Sequence, residues 1–221
     1  MQVEPSRRIH KEGAVFRATF TGAASVPWLK DVGWLAPGTA HPAIVRCSAF
    51  LPPMSGLPEV ICLAVKIVDA GDNDRQPEVD QDLTFFAVCH SRAFRMVPAV
   101  RLHAGKLLLS SVMSYHIGTS SGDRRVVFGA RFAETSRLGK SADAYRETVG
   151  ALQRSGSSLE VLAAPPRQKW SVVGCVDAFH TYPSPGDVIR FRPGHTTENV
   201  RLSRFGRVRD RLYRHTQNRG S

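Results

Sequence analysis

The sequence has no apolar run approaching the roughly 20 residues a membrane-spanning helix needs. Its opening residues, MQVEPSRRIH, contain no apolar stretch of signal-peptide length. A soluble, cytoplasmic protein without a membrane span is the expectation. Cysteine is sparse: Cys47, Cys62, Cys89 and Cys175 are scattered, with no C-x-x-C pair. That argues against a disulfide frame or a zinc site and for reduced, buried thiols. Acidic residues are outnumbered, 19 Asp and Glu against 30 Lys and Arg, which leaves a formal net charge of +11. An anionic partner is therefore attracted from a distance, whether nucleic acid, an acidic membrane surface, or a small molecule bearing carboxylates or phosphates. Charge does not choose among them. There is no internal repeat and no low-complexity segment.

What is present is strand-like. With 221 residues the chain is long enough to bury one large core, and a single domain over 1–221 is expected. β-branched and aromatic residues bounded by Gly or Pro mark strands at 13–22, 42–50, 59–71 and 82–89, and again at 124–134, 158–165 and 169–179. The charged stretch DAGDNDRQPEVDQD (69–82) reads as a surface loop. One helix is expected over 141–156, opened by a Ser cap and closed by Gly. Seven or so strands with few helices predict a mainly β, α+β chain built on an antiparallel barrel or sandwich rather than a parallel sheet.

Two constellations carry chemistry. In RVRDRLYRHT (207–216) a helical spacing of four sets Arg209 beside Tyr213. A guanidinium next to a phenol favours the phenolate, a hard anionic oxygen suited to ferric iron. The plainer reading of that segment is a solvated basic tail with an incidental Tyr. At the other end, His10 precedes the first strand, with Arg7 three residues upstream. An imidazole there can act as a general base, since its pKa lies near working pH; an exposed terminal His is the alternative. The strand period of two puts Ile44, Arg46, Ser48 and Phe50 on one face. A mid-strand Arg is costly to bury unless it meets an anion, so this face is expected to present charge, hydroxyl and aromatic groups to something inside.

Together these segments resemble the haem catalases. RRIHKEGAVFRATFTG is similar to the stretch carrying that family's distal histidine, with an Arg three positions before the His. VRCSAF resembles its V-R-F-S-T strand, LAVKIVDAG its F-A-V-K-F-Y-T strand, and DLTFFAV the D-L…F-F strand that follows. RVRDRLYRHTQNR resembles the proximal R-x-x-x-Y-x-x-T signature, here Arg209, Tyr213 and Thr216. The matches run in order from residue 7 to residue 219. The resemblance implies a catalase-like antiparallel β-barrel core with a few helices and a C-terminal helix carrying the proximal ligand. It implies haem b as cofactor, Tyr213 as its axial ligand, and Arg209 hydrogen-bonded to that phenolate. His10 would be the distal base that moves a proton between the oxygens of bound peroxide, and Ser48 would hold its imidazole in place. Arg7, Arg46 and Arg219 would pair with the haem propionates, and Phe86 would lie in the cofactor pocket.

The sequence also departs from that family. Catalases place G-N-N-T-P between the D-L and the F-F, and its asparagine hydrogen-bonds peroxide over the iron; here Asp82-Leu83 run through Thr84 straight into Phe85-Phe86. No counterpart of the wrapping arm or of the C-terminal helical domain is expected. A more open haem is therefore expected, suited to peroxidase chemistry with hydrogen peroxide or an organic hydroperoxide and an organic substrate. Specialised biosynthetic oxidation and fatty-acid hydroperoxide isomerisation, as in allene oxide synthase, are the enzymatic alternatives. A basic nucleic-acid-binding module and a haem carrier without chemistry are the non-enzymatic ones. Arg7 and Arg46, at the barrel entry and inside a strand, are not needed for phosphate-backbone binding. No nucleic-acid partner is therefore expected, and a homodimer is compatible with the reading.

Overall fold

A computed structural model describes residues 13–29, 32–50, 60–70, 82–89, 101–103, 106–118, 122–133, 144–182, 200–203 and 207. Ten strands and one helix follow in order: β1 (Gly13–Gly22), β2 (Ala40–Phe50), β3 (Val60–Ile67), β4 (Leu83–Cys89), β5 (Arg101–His103), β6 (Lys106–Ile117), β7 (Arg124–Phe132), α1 (Ala144–Gln153), β8 (Leu159–Ala164), β9 (Ser171–Thr181) and β10 (Val200–Leu202). The strands pair antiparallel in the order β6-β4-β3-β2-β1-β9-β8-β7, and β7 returns to β6. That return closes a barrel and removes the exposed edges an open sheet would leave. β5 and β10 pair with stretches of β6 on either side of its short contact with β4. The seven expected strands and the helix are all present. β6, the strand that closes the ring, was not expected from the sequence, nor were β5 and β10.

Because side chains alternate across a strand, each strand sends one set inward. Phe16 and Phe20 of β1, Val45 and Cys47 of β2, Leu63 and Val65 of β3, Phe85 of β4, Tyr115 of β6, Phe128 of β7 and Val161 of β8 are all buried in one core. Its centre is aromatic. Phe128 stacks on Phe85 at 5.4 Å between centroids and meets Tyr115 edge-on at 5.3 Å. Trp34 lies 6.4 Å from Phe128 and 5.8 Å from Phe20. The buried Tyr115 hydroxyl donates to the Thr84 carbonyl at 3.0 Å, which answers the cost of taking that group out of water. The Trp34 indole N–H has no such partner among the described residues.

Both ends are filled. The β1–β2 connection folds two single 3-10 turns (Pro27–Leu29 and Gly33–Leu35) over one end, burying Leu29, Val32, Trp34 and Leu35. The α1 helix, between β7 and β8, occupies the opposite end with Ala151 and Leu152 buried, and lies against β2, β3 and β9. Its exit turn uses Gly156 at φ 75, a left-handed conformation glycine adopts without a steric penalty. The interior is thus a packed core among the described residues.

One glycine is fixed by packing. A Cβ at Gly174 of β9 would lie 2.2 Å from Phe20 Cε2 and 2.9 Å from the Thr21 carbonyl, so the missing side chain is the space the Phe20 ring occupies. Gly174→Ala is expected to lower stability by about 1–3 kcal/mol through overpacking. Combining it with Phe20→Leu should cost less than the sum of the two single changes. Urea unfolding of the three variants checks this, and strict additivity would mean that the two positions do not compete for space.

Candidate functional site

The outer face of β1–β4 gathers the residues singled out on β2. Ser48 is register partner to Gly13 on β1 and Cys62 on β3, while Arg46 pairs with Val15 and Ala64. Phe86 on β4 is in turn the register partner of Ala64. Side chains directly opposite one another share a face, so Arg46, Ser48, Cys62, Ala64 and Val15 look out from the same wall. The expectation that Ile44, Arg46 and Ser48 present themselves to something inside is corrected in one respect. They face away from the barrel interior, which Val45 and Cys47 occupy. Ser48 is nonetheless buried, and Arg46 is half-buried.

The wall is made of small groups, and the guanidinium of Arg46 lies across it. A Cβ on Gly13 would stand 2.8 Å from Arg46 Nε and 3.1 Å from one terminal nitrogen. Glycine at 13 therefore leaves room for the guanidinium to fold flat over the start of β1.

The charges on the outer face separate into paired and unpaired. Lys66 is ion-paired with Asp82, whose Oδ1 also accepts the Asp69 backbone N–H at 3.1 Å. This clasp ties the end of β3 to the start of β4. On the other side of the barrel, Arg131 of β7 is paired with Glu160, its register partner on β8. Arg46 makes no ion pair with any described carboxylate. A half-buried guanidinium is costly to keep without a counter-charge, and among the described residues none pairs with Arg46.

The thiols do not supply that chemistry. Cys47 and Cys62 sit on adjacent strands but on opposite faces, and both are free. Burial pushes the Cys47 thiol up to about 12, reinforced by Cys62 and opposed by Arg46. Burial pushes Cys62 up to about 12 as well, again opposed by Arg46. Both stay protonated near neutral pH and offer neither a nucleophile nor a thiolate to a metal. Among the described residues no group of three His, Cys, Asp or Glu side chains could hold a metal ion.

Of the residues expected to form the site, the structure brings Arg46 and Ser48 to one wall. Phe86 is placed by its backbone register. Arg7, His10, Arg209, Tyr213, Thr216 and Arg219 lie outside the described residues. Gly13, Ala64 and the exposed Arg17 belong to the same face and were not anticipated; once β1 and β2 are paired, the register alone points to them.

No protein-family model matches the chain, and no curated protein matches it in sequence. Solved structures do. A fungal catalase superposes with a TM-score of 0.61 at 10% identity, covering 95% of this chain and 57% of that one. A bacterial catalase gives 0.53 at 13% identity over 96% and 57%, and catalase A from Saccharomyces cerevisiae 0.55 at 11% over 95% and 59%. The fold is catalase-like. The catalase-like barrel expected from the motifs is therefore present, in a chain spanning under three-fifths of the length of these catalases. No helix among the described residues is long and apolar enough to cross a membrane.

The thiols give a pH dependence. Unfolded cysteines ionise near about 8.5, whereas Cys47 and Cys62 hold their protons to about 12 in the fold. The stability they contribute is complete below about 8.5 and is lost as pH rises toward 12, at up to about 1.4 kcal/mol per pH unit for each thiol. Urea unfolding from pH 8 to about 10.5 should show this decline, and Cys47→Ala with Cys62→Ala should make it shallower, leaving the part due to Cys175, whose thiol is also pushed up by burial. An identical slope in the double variant would contradict the assignment.

Proposed function

We propose that this chain is a haem-dependent oxidoreductase of the catalase fold, reacting with hydrogen peroxide or an organic hydroperoxide as a peroxidase rather than as an efficient catalase. The observation that carries the reading is Arg46, a guanidinium with no ion-pair partner among the described residues, lying beside Gly13 on a wall of small side chains. Haem b is a flat ring with two carboxylates at its rim, and small side chains beside an arginine would suit both features. In this reading Arg7, Arg46 and Arg219 would hold the haem carboxylates, Phe86 would contribute to the cofactor pocket, and Tyr213 would supply the iron ligand with Arg209 and Thr216 assisting it. Bound haem iron supplies the redox chemistry that cleaves the peroxide O–O bond. His10 would act as the base that moves a proton between the two peroxide oxygens, and Ser48 would hold its imidazole in position.

The preference for peroxidase chemistry rests on β4. Its pairing with β3 runs without interruption from Leu83 opposite Ile67 to Cys89 opposite Ile61. An unbroken ladder leaves no inserted residue between Leu83 and Phe85 to donate a hydrogen bond over the iron. A site lacking that donor is less suited to disproportionating peroxide and remains able to pass oxidising equivalents to an organic reductant.

The protein incubated with haemin should show a Soret band with high-spin ferric, phenolate-type charge-transfer features. Tyr213→Phe should abolish those features, and Arg46→Gln should weaken haem retention about tenfold. A protein that stays colourless with haemin would overturn the proposal and make nucleic-acid binding by its Arg-rich C-terminal segment the next reading to test. In the haem-loaded protein, His10→Ala should leave the resting spectrum in place and slow the reaction with peroxide by on the order of 10²–10⁴-fold, as expected for loss of a general base. Stopped-flow absorbance measures that rate directly, and an unchanged rate would remove His10 from the mechanism.

A further inference from the structure

Strand β9 contains a strained residue in mid-strand. Ala178 has φ 53, a conformation that costs an L-residue with a Cβ roughly 1–2 kcal/mol. It sits where the pairing with β1 slips. Arg17 faces His180 and Thr19 faces Asp177, so two steps along β1 span three along β9. The extra residue is a β-bulge, and a bulge reverses which side chains face in. Beyond it Phe179 turns into the core, edge-on to Phe16 at 6.3 Å, and His180 and Tyr182 come out on the face of Arg17. An unbroken ladder would have put His180 inside and Phe179 in water.

The outcome is a cluster on the outer wall. The Arg17 guanidinium lies 4.6 Å from the centroid of the Tyr182 ring, an arrangement that orients a cation without neutralising it. His180 is Arg17's register partner, and both are exposed. Asp177, one register step further on, makes no ion pair with either, in contrast to the carboxylates that neutralise Lys66 and Arg131. Two cationic or cationisable side chains set directly opposite each other are unfavourable unless an anion lies between them. Arg17 is flanked by Val15 and Ile44, both half-buried, so an anion there would rest its organic portion on an apolar surface. The Arg46 guanidinium reaches away toward Gly13, and the two arginines therefore serve separate anions.

We propose that Arg17, His180 and Tyr182, brought to one face by the bulge at Ala178, bind the carboxylate of a small organic molecule. Arg17 engages the carboxylate through two parallel N–H donors and His180 supplies a third. Tyr182 is separated from Arg46 only by Val15 of the intervening strand, at roughly two strand spacings, about 10 Å. The role of this site as the organic-substrate subsite of a haem peroxidase rests on the proposed function. Its binding of a carboxylate does not.

The test is an NMR titration of the full chain with benzoate, following the aromatic resonances of Tyr182 and His180, with benzamide as the uncharged isostere and inorganic phosphate as a competitor. Benzoate should shift both residues saturably and benzamide should not. Arg17→Gln should weaken benzoate about tenfold or more, as expected for loss of a charge-assisted pair, while leaving haemin uptake unchanged. Equal shifts with benzamide, undiminished benzoate binding in Arg17→Gln, or phosphate binding more tightly than benzoate would each overturn the assignment. If benzoate binds through Arg17 in a protein that takes up no haem, the carboxylate site stands while the proposed function and the substrate role fall.

Discussion

Barrel closure is the constraint from which the rest follows. Once β7 returns to β6, each of the eight strands of the ring has a partner on both sides, and strand alternation assigns each residue either to the interior or to the wall. The interior is full: Phe20, Trp34, Phe85, Tyr115 and Phe128 meet at its centre. A barrel of this size whose lumen is packed with side chains has no room for a cofactor in its middle. Among the described residues it is the outer face that remains accessible, where the fold leaves a choice between covering the wall and using it.

The wall is handled differently on its two sides. Around β7 and β8 the outward residues Gly129, Arg131, Leu162 and Ala164 are buried as thoroughly as the inward ones, and Arg131 is neutralised by Glu160. Around β1 and β2 the outward residues other than Ser48 are only partly covered, and Arg17 and Arg46 have no carboxylate partner among the described residues. The same residue type is thus a structural element on one side and an available charge on the other. Composition could not have separated the two, because a net charge of +11 counts paired and unpaired arginines alike. What separates them is the cross-strand neighbour, which is Glu160 for Arg131 and Val15 and Ala64 for Arg46.

Much of the barrel was legible from residue pattern. β1, β2, β4, β7 and β8 alternate or run apolar between Gly, Pro or polar breaks, and the expected bounds fall within two residues of those observed. The β3 boundary was set too late. Val68 and Asp69 read as strand but form a turn that the Asp82 carboxylate holds from across a loop, a contact invisible to local pattern. β6, KLLLSSVMSYHI, escaped because three leucines followed by two serines give neither a β-branched run nor a clean alternation. Its strand character is imposed by its partners, which is the usual way tertiary context overrides propensity. The shared face of Arg46 and Ser48 was legible from the strand period alone, although its direction was not. Two alternating faces are equivalent until closure decides which one is the inside.

The bulge at Ala178 was not legible at all, and the reason is physical. Bulges are signalled in sequence mainly by glycine, the residue that adopts a positive φ without penalty, and DAFHT carries none. Alanine there means that the left-handed turn is held by what flanks it: Phe179 must reach the core beside Phe16, and Val176 must stay in register with Phe20. Both demands can be met only if one residue is inserted between them, and Ala178 absorbs the insertion. Burial of two side chains on either side outweighs a local strain of roughly 1–2 kcal/mol, since each buried apolar side chain contributes on the order of 1.5–3 kcal/mol. The consequence reaches beyond packing. Satisfying the interior at positions 176 and 179 sets the parity of everything after the bulge, and so the core itself carries His180 and Tyr182 out to the wall beside Arg17.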